Sequence, residues 1–121
     1  MIKADFEEWI KFAEEDLETA SYNINGGKTG AGLFFLQQCA EKSLKAVYMK
    51  RFENMFRTHD LVLLAKKLNV PNAIMKYCKE LNPAYLYTRY PDVPEVKNLN
   101  EMGKNLHFYA KEILKWAKKN T

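Results

Sequence analysis

One short stretch of the chain concentrates the side chains that can recognise a polar ligand: Gln37-Gln38-Cys39-Ala40-Glu41-Lys42-Ser43-Leu44-Lys45. Amides can hydrogen-bond a base or a ribose, and lysines can neutralise phosphate. At about 100° per residue, Gln38, Glu41 and Lys45 fall on one side of a helix, opposite its apolar positions. We therefore expect an exposed recognition surface that includes Gln38, Lys42 and Lys45. The open alternative is an ordinary solvated face, in which Glu41 and Lys45 form an i,i+4 pair contributing about 0.2–0.5 kcal/mol.

A second polar cluster, Arg89-Tyr90-Pro91-Asp92, lies in the other half of the chain. A guanidinium held beside an aromatic ring and a turn-forming proline is suited to binding a phosphate or a carboxylate. The ring of Tyr90 could stack on a base. The alternative is an intramolecular ion pair, from Arg89 to Asp92 or to Glu41, that ties the loop to the rest of the fold. Local chemistry favours the two interpretations equally.

His59 stands in the segment Arg57-Thr58-His59-Asp60-Leu61, before a predicted helix. Arg57 and His59 are therefore secondary candidates, together with Glu41 and Asp92. The structural alternative for His59 is a hydrogen bond to a neighbouring carbonyl that fixes the loop. His59 and His107 lack the helical histidine partner or paired cysteines of a zinc site, so no metal ligand is predicted. No residue is assigned a catalytic role.

Helical periodicity predicts the elements that must position these residues. The pattern gives a first helix at 5–25, with an Asp5-x-x-Glu8 cap, and a second at about 31–52. A third helix starts at Thr58-His59-Asp60-Leu61, with Thr58 as the cap, and a fourth runs from Pro71 to the break at Asn82-Pro83. The last helix spans about 95–118. Three long helices and two shorter ones, without an alternating strand pattern, predict an all-α, up-and-down antiparallel bundle resembling a four-helix bundle. The aromatic residues Phe34, Tyr48 and Phe108 look exposed, which favours a homodimer.

The chain of 121 residues, 47% hydrophobic and 28% charged, fits a single domain spanning 1–121. Cys39 and Cys78 are too few for a disulfide framework, which favours a reducing cytoplasm. The absence of a basic-then-apolar leader and of a long apolar run predicts a chain that neither is exported by that route nor spans a membrane. The net charge of +4, from 19 basic and 15 acidic residues, is compatible with anionic partners but does not indicate duplex DNA binding.

The Gln37–Lys45 helix, the Arg57-Thr58-His59-Asp60-Leu61 turn and the Arg89-Tyr90-Pro91-Asp92 loop, in that order, resemble the HEPN domain family. The resemblance covers nearly the whole chain. It implies a small α-helical bundle that often dimerises, binds nucleotides and is frequently encoded beside a minimal nucleotidyltransferase. It also implies ATP or another nucleotide as the ligand, with no cofactor certain. Many relatives are RNA-cleaving toxins or defence effectors, so RNA is a further partner to consider.

The nuclease branch of that family carries an arginine, four to six further residues and then a histidine. This sequence departs from the pattern. For His59 the arginine would have to stand at position 52, 53 or 54, and Arg51 misses by one position. For His107 it would have to stand at position 100, 101 or 102, which are Asn, Glu and Met. General acid–base catalysis needs its groups within hydrogen-bond reach, so we favour the non-catalytic branch over an enzyme.

We therefore expect a nucleotide-binding HEPN protein that is the non-catalytic partner subunit of a minimal nucleotidyltransferase, in a toxin–antitoxin or defence-type system. Its expected contacts are Gln38, Lys42, Lys45, Arg89 and Tyr90. One alternative is a metal-independent ribonuclease toxin that uses His59 with Arg57 or Arg51. The other is a plain dimeric interaction module whose polar helix face is only solvated.

Overall fold

A computed structural model describes residues 5–91 and 99–121 of the chain. Six helical elements follow one another: α1 (Phe6–Asn25), α2 (Thr29–Phe52), α3 (Leu61–Leu68), α4 (Asn72–Leu81), the single turn α5 (Ala84–Tyr87) and α6 (Leu99–Lys119). No strand occurs in the described part of the chain. The predicted all-α helical bundle is therefore confirmed. The predicted start of the last helix, at 95–98, and Asp92, Val93 and Pro94 of the predicted loop lie outside the described residues.

The boundaries of the two long N-terminal helices follow from their capping residues. The side chain of Asp5 caps α1 by accepting a 3.0 Å hydrogen bond from the backbone N–H of Glu8, as predicted. Gly27, with a φ of 84°, takes the left-handed conformation in the turn that follows α1. Helix α2 begins at Thr29, two residues before the predicted start, and ends at Phe52 before Glu53 turns left-handed.

The cap of α3 differs from the prediction. Asp60, rather than Thr58, is the N-cap, because its carboxylate accepts from the backbone N–H groups of Val62 and Leu63. The Thr58 hydroxyl instead accepts from the backbone N–H of Asp60. Asn82, which terminates α4, accepts from the N–H of Leu61 through Oδ1 and donates to Asp60 through Nδ2. The residue predicted to break a helix therefore also ties α4 to the start of α3.

Helix α2 is the centre of the bundle, as its wide apolar arc predicts. It packs against α1, α6, α3 and α5, while α4 packs against α6 and α3. The α1 and α2 helices are antiparallel, since the short turn at 26–28 joins them. The core takes residues from every long helix, and its largest fully buried aliphatic side chains are Leu33, Leu36, Leu44, Val47, Leu61, Leu64, Leu68, Leu81 and Ile113. Phe34 and Tyr48, expected at the surface, are half-buried, whereas Phe108 is exposed.

Gly32 sets how closely α1 approaches α2, so its replacement by alanine is expected to destabilise the fold. A Cβ atom there would lie 2.4 Å from Ile24 Cγ1 and 3.0 Å from the carbonyl oxygen of Ala20. Overpacking of this kind costs about 1–3 kcal/mol, which exceeds the helix-propensity gain of about 0.8–1 kcal/mol. Urea denaturation should show a net loss for Gly32→Ala. Gly30→Ala is the control, because a Cβ atom on Gly30 meets nothing within 4 Å; equal stability of the two variants would contradict the argument.

Candidate functional site

The polar stretch of α2 lies inside the protein, which corrects the prediction of an exposed recognition face. Glu41 is only 3% exposed and Lys45 only 9%. The helical phase was right, but this face of α2 is covered. Trp9 of α1 places its ring 5.8 Å from the Lys45 ammonium, and His59 covers Glu41 from the loop before α3. A central helix has neighbours on several sides, so polar residues on it are not necessarily solvated.

The Glu41 carboxylate connects Lys45 to His59. Its Oε2 lies 2.9 Å from Lys45 Nζ, and its Oε1 lies 2.9 Å from His59 Nδ1. Because an ionised carboxylate only accepts hydrogen bonds, the Nδ1 of His59 carries the proton in this contact. The Nε2 atom is then left for a ligand or solvent, since the His59 side chain is 55% exposed. The buried pair therefore fixes the orientation of a surface imidazole.

Lys42 is also paired within the chain. Its Nζ donates to Asp16 Oδ2 at 2.7 Å, and it lies 5.7 Å from the centroid of the Phe12 ring. Burial raises the pKa of Asp16, and the hydrogen bond from Lys42 opposes that rise without cancelling it. Both lysines that were predicted to neutralise phosphate thus hold carboxylates of their own chain. A ligand could recruit either ammonium only in competition with that carboxylate.

Two amides of α2 hold the loop that carries His59. Gln38, half-buried, donates to Oε1 of Gln37 at 2.7 Å. The fully buried Gln37 in turn donates to the backbone carbonyl of His59 at 3.1 Å. Gln38 thus supports, through Gln37, the backbone of the loop that carries His59. The sequence hypothesis assigned Gln38 to a base or ribose and did not assign Gln37 at all.

Arg89 extends this region at the end of α5. Its guanidinium carbon lies 5.3 Å from the Phe34 ring centroid and 5.1 Å from that of Tyr85. Tyr85 is stacked on the imidazole of His59, with ring centroids 4.3 Å apart and an interplanar angle of 16°. The alternative Arg89–Glu41 ion pair is not formed, because Glu41 pairs with Lys45 and His59. No ion pair involves Arg89 in the described ranges 5–91 and 99–121, and its proposed partner Asp92 lies outside them.

We call the cluster of exposed His59, half-buried Tyr85 and exposed Arg89 the His59–Arg89 surface. A depression of about 250 Å³ adjoins it, lined by His59, Asp60, Asn82, Tyr85 and Leu86. The Asp60 carboxylate in its wall accepts hydrogen bonds from two backbone N–H groups and from the Asn82 amide. These hydrogen bonds occupy the Asp60 carboxylate within the chain, and His59 and Arg89 are the neighbouring groups that carry N–H donors suited to an anion.

The remaining predicted residues are less closely connected to this surface. Tyr90, exposed, follows Arg89 directly, and Arg57 is exposed in the loop that carries His59. Arg51 donates to the carbonyl of Leu68 at 2.6 Å and lies over the ring of Trp116. It follows Glu41, the partner of His59, by ten residues, or about 15 Å along the helix axis. The structure therefore does not bring Arg51 to His59.

Sequence reasoning missed the aromatic partners of this surface, Phe34 and Tyr85. One signal for Tyr85 was available: it precedes Arg89 by four residues in a segment with helical character, a spacing that places two side chains on one face. No comparable signal links Tyr85 to His59 or Phe34 to Arg89, since those pairs depend on how α5 docks against α2.

Within the described ranges, no group of three or more His, Cys, Asp or Glu residues could hold a metal ion. In the same ranges, every helix is too short or too polar to cross a membrane.

Comparison with known proteins identifies the family. The HEPN domain model matches residues 6–120, nearly the whole chain. An archaeal HEPN homologue of known crystal structure is 32% identical, with a TM-score of 0.80, and the match covers 97% of this chain and 98% of that one. No curated protein matches the chain. The chain belongs to the HEPN domain family.

Two further crystal structures support the fold alone. A protein from Thermus thermophilus has a TM-score of 0.87 at 23% identity, over 96% of this chain and 98% of that one. A HEPN domain protein from Thermotoga maritima has a TM-score of 0.76 at 22% identity, over 93% of this chain and 95% of that one. The predicted fold and family are confirmed.

Proposed function

We propose that this HEPN domain protein binds a nucleotide at the His59–Arg89 surface and acts as the non-catalytic partner subunit of a minimal nucleotidyltransferase, in a cytoplasmic toxin–antitoxin or defence-type system. The observation that supports this proposal best is the stacked arrangement of His59, Tyr85 and Arg89. It combines two phosphate-binding groups with an aromatic ring in one exposed place. Relative to the sequence hypothesis, Arg89 keeps its proposed phosphate contact, and His59 takes the place of Lys42 and Lys45.

The guanidinium of Arg89 is suited to phosphate recognition. Its contacts with Phe34 and Tyr85 are made through the ring faces, which leaves the N–H groups at its edge available. A planar fork of N–H donors binds two phosphate oxygens at once. The Nε2 of His59 supplies a further donor when the imidazole is protonated. The exposed ring of Tyr90 is the proposed stacking partner for the base.

The size of the depression limits which part of the ligand it holds. A volume of about 250 Å³ is below the range of about 300–1,000 Å³ typical of sites that enclose a small molecule. We therefore place the phosphate end of the nucleotide against His59 and Arg89, with the base near Tyr90 at the surface. Such an open site binds weakly, in keeping with a subunit that presents a ligand to a partner.

Two considerations support a non-catalytic role. Arg51 is held at the far end of α2 by Leu68 and Trp116, so it does not form a catalytic pair with His59 of its own chain. Tyr87, a tyrosine that could in principle accept a transferred group, is not a ready nucleophile, because burial raises the pKa of its phenol. Its hydroxyl has no hydrogen-bond partner among the described residues. The nucleotidyltransferase partnership itself rests on the family resemblance.

A thermal-shift titration with ATP, GTP and AMP tests the binding proposal. A nucleotide at 100 times its dissociation constant should stabilise the protein by about 2.7 kcal/mol. Arg89→Ala should weaken that binding by about 10- to 100-fold, because a charge-assisted hydrogen bond contributes about 1.5–3 kcal/mol. His59→Ala should weaken it by a smaller factor.

Lys76→Ala is the matched control, since it removes one exposed positive charge from α4 and Lys76 does not line the depression. It should leave the nucleotide affinity within about twofold, because an exposed charge that does not touch the ligand acts only through a field that salt screens. The proposal is wrong if no nucleotide at millimolar concentration shifts the melting temperature. Equal losses for Arg89→Ala and Lys76→Ala would show that the effect is general electrostatics and not a site.

A further inference from the structure

A second cavity, which the proposed nucleotide site does not use, opens to the surface between α1 and α6. We call it the α1–α6 cavity. Its described lining consists of Ser21, Ile24 and Asn25 on α1 and of Gly103, Lys104 and His107 on α6. The volume of about 410 Å³ falls within the range of about 300–1,000 Å³ typical of small-molecule sites, unlike that of the depression beside His59.

The imidazole of His107 is held by the opposite wall of this cavity. The Ser21 hydroxyl donates to the carbonyl oxygen of Leu17 at 3.1 Å, and its oxygen lies 2.9 Å from Nε2 of His107. Because a hydroxyl has only one hydrogen to donate, Nε2 supplies the hydrogen of the second contact. Ser21 therefore accepts from the imidazole and is not a nucleophile activated by it. Within the described ranges, the other ring nitrogen, Nδ1, forms no hydrogen bond.

Two further polar side chains stand together at one end of the cavity. Asn25 follows Ser21 by four residues, and Lys104 precedes His107 by three. These steps lead to the same end, because α1 and α6 are antiparallel, as the two side-chain hydrogen bonds between them show. In the part of the chain that the structure describes, Lys104 forms no ion pair and no Asp or Glu lines the cavity. The cavity therefore offers a positive charge that no carboxylate of its own lining neutralises.

We propose that the α1–α6 cavity binds a small phosphate ester with an aliphatic body, such as a sugar phosphate. The ammonium of Lys104 and the amide of Asn25 supply N–H donors to the phosphate oxygens. An imidazole titrates near neutral pH, and an anion beside it favours the protonated ring. His107 thus supplies a second positive charge, which matches the two negative charges of a phosphate monoester.

The lining also determines what the phosphate is attached to. Among the described residues of the lining there is no Phe, Tyr or Trp on which a nucleobase could stack. Ile24 and Gly103 instead present an apolar wall to a carbon body. The cavity shares no residue with the His59–Arg89 surface, so this proposal does not depend on the proposed nucleotide binding.

The two histidines of the chain make the proposal testable by NMR, because one lies at each proposed site. Titration of the whole chain with glycerol 3-phosphate should move the His107 resonances toward their protonated position, with a dissociation constant of about 1 mM or lower. Inorganic phosphate should bind about five- to tenfold more weakly, because it has no carbon body to bury. The Arg89→Ala variant should show the same His107 response, which excludes an indirect effect of binding at the His59–Arg89 surface.

Substitutions in the lining measure the contribution of each donor. Lys104→Ala should weaken binding of glycerol 3-phosphate by about 10- to 100-fold, because it removes a charge-assisted contact. Asn25→Ala removes an uncharged donor and should weaken it by about 2- to 10-fold. Lys66→Ala is the matched control, since this exposed lysine of α3 does not line the cavity, and it should change the affinity by less than about twofold. All three side chains are exposed, so the melting temperature without ligand should stay unchanged.

Three results would overturn the proposal. The first is a His107 resonance that does not move at tens of millimolar glycerol 3-phosphate. The second is an equal loss of affinity in Lys104→Ala and Lys66→Ala, and the third is inorganic phosphate that binds as tightly as the ester. A parallel titration with ATP reports on the His59–Arg89 surface through His59, so that failure of the nucleotide site and failure of the α1–α6 cavity are recognised separately.

Discussion

Replacing Glu41 with alanine is expected to lower the free energy of unfolding by about 3–5 kcal/mol, because it leaves a buried ammonium group without its counter-charge. The side chains of Glu41 and Lys45 are 4% and 10% exposed, and their charged atoms lie 2.9 Å apart. Loss of the carboxylate also removes the hydrogen bond to His59. Since small domains are stable by only about 5–15 kcal/mol, the variant should unfold at a much lower urea concentration.

The exposed Lys118–Glu14 pair is the matched control. Its atoms lie 2.7 Å apart, but both side chains are 48% exposed. Lys118→Ala should therefore cost at most about 1 kcal/mol. The double variant Glu41→Leu with Lys45→Met should recover most of the stability lost in Glu41→Ala, since it removes both buried charges. Similar urea midpoints for Glu41→Ala and Lys118→Ala would contradict the argument that burial makes the difference.

Much of the fold could be predicted because helical periodicity and capping are local properties. The Asp5 cap, the end of α2 at Phe52 and the break at Asn82-Pro83 are each determined by residues within a few positions. The error at the start of α3 is also local: Thr58 and Asp60 are both good caps, and Asp60 is placed to reach two free N–H groups. The pattern could not decide between two capping residues that stand only two positions apart.

The site was harder to predict because it depends on packing. The phase of α2 correctly placed Gln38, Glu41 and Lys45 on one side, but it could not show that Trp9 and His59 would cover that side. The spacing of charged residues along a central helix is the same whether their side chains are solvated or buried. Burial then changes its role, since Glu41 and Lys45 satisfy each other and position His59.

Arg89 shows the opposite case, in which a candidate gained support from contacts that the sequence could not reveal. Its residue type and the neighbouring proline suggested an anion site, but the nearest partners, Phe34 and Tyr85, come from two different helices. Tyr85 also joins Arg89 to His59. Two candidates that are 30 positions apart in the sequence thus belong to one surface, whereas Lys45 is separated from solvent by the residues that cover it.

Both cysteine thiols are expected to be almost unreactive in the folded protein. Burial raises the pKa of Cys39 and of Cys78 to about 12 from 9.0, and both residues are fully buried. Because the thiolate is the reactive form, a rise of about three units lowers its population by about 1,000-fold at pH 8, in addition to the loss of access. Iodoacetamide should therefore label the native chain at least about 1,000-fold more slowly than the unfolded chain.

Single-cysteine variants extend this measurement to the opening of the central helix. With Cys78→Ala, labelling reports only on Cys39, which lies on α2 two positions before Glu41. Exposure of Cys39 requires α2 to separate from its neighbours, so the labelling rate follows the free energy of opening. Glu41→Ala should then accelerate labelling of Cys39 by about 100-fold or more, the factor that corresponds to a loss of about 3 kcal/mol. Lys118→Ala should leave the rate within about fivefold, because its pair is exposed. Rapid labelling of the unmodified chain would show that α2 opens without global unfolding. The buried Glu41–Lys45 pair would then not hold α2 against its neighbours.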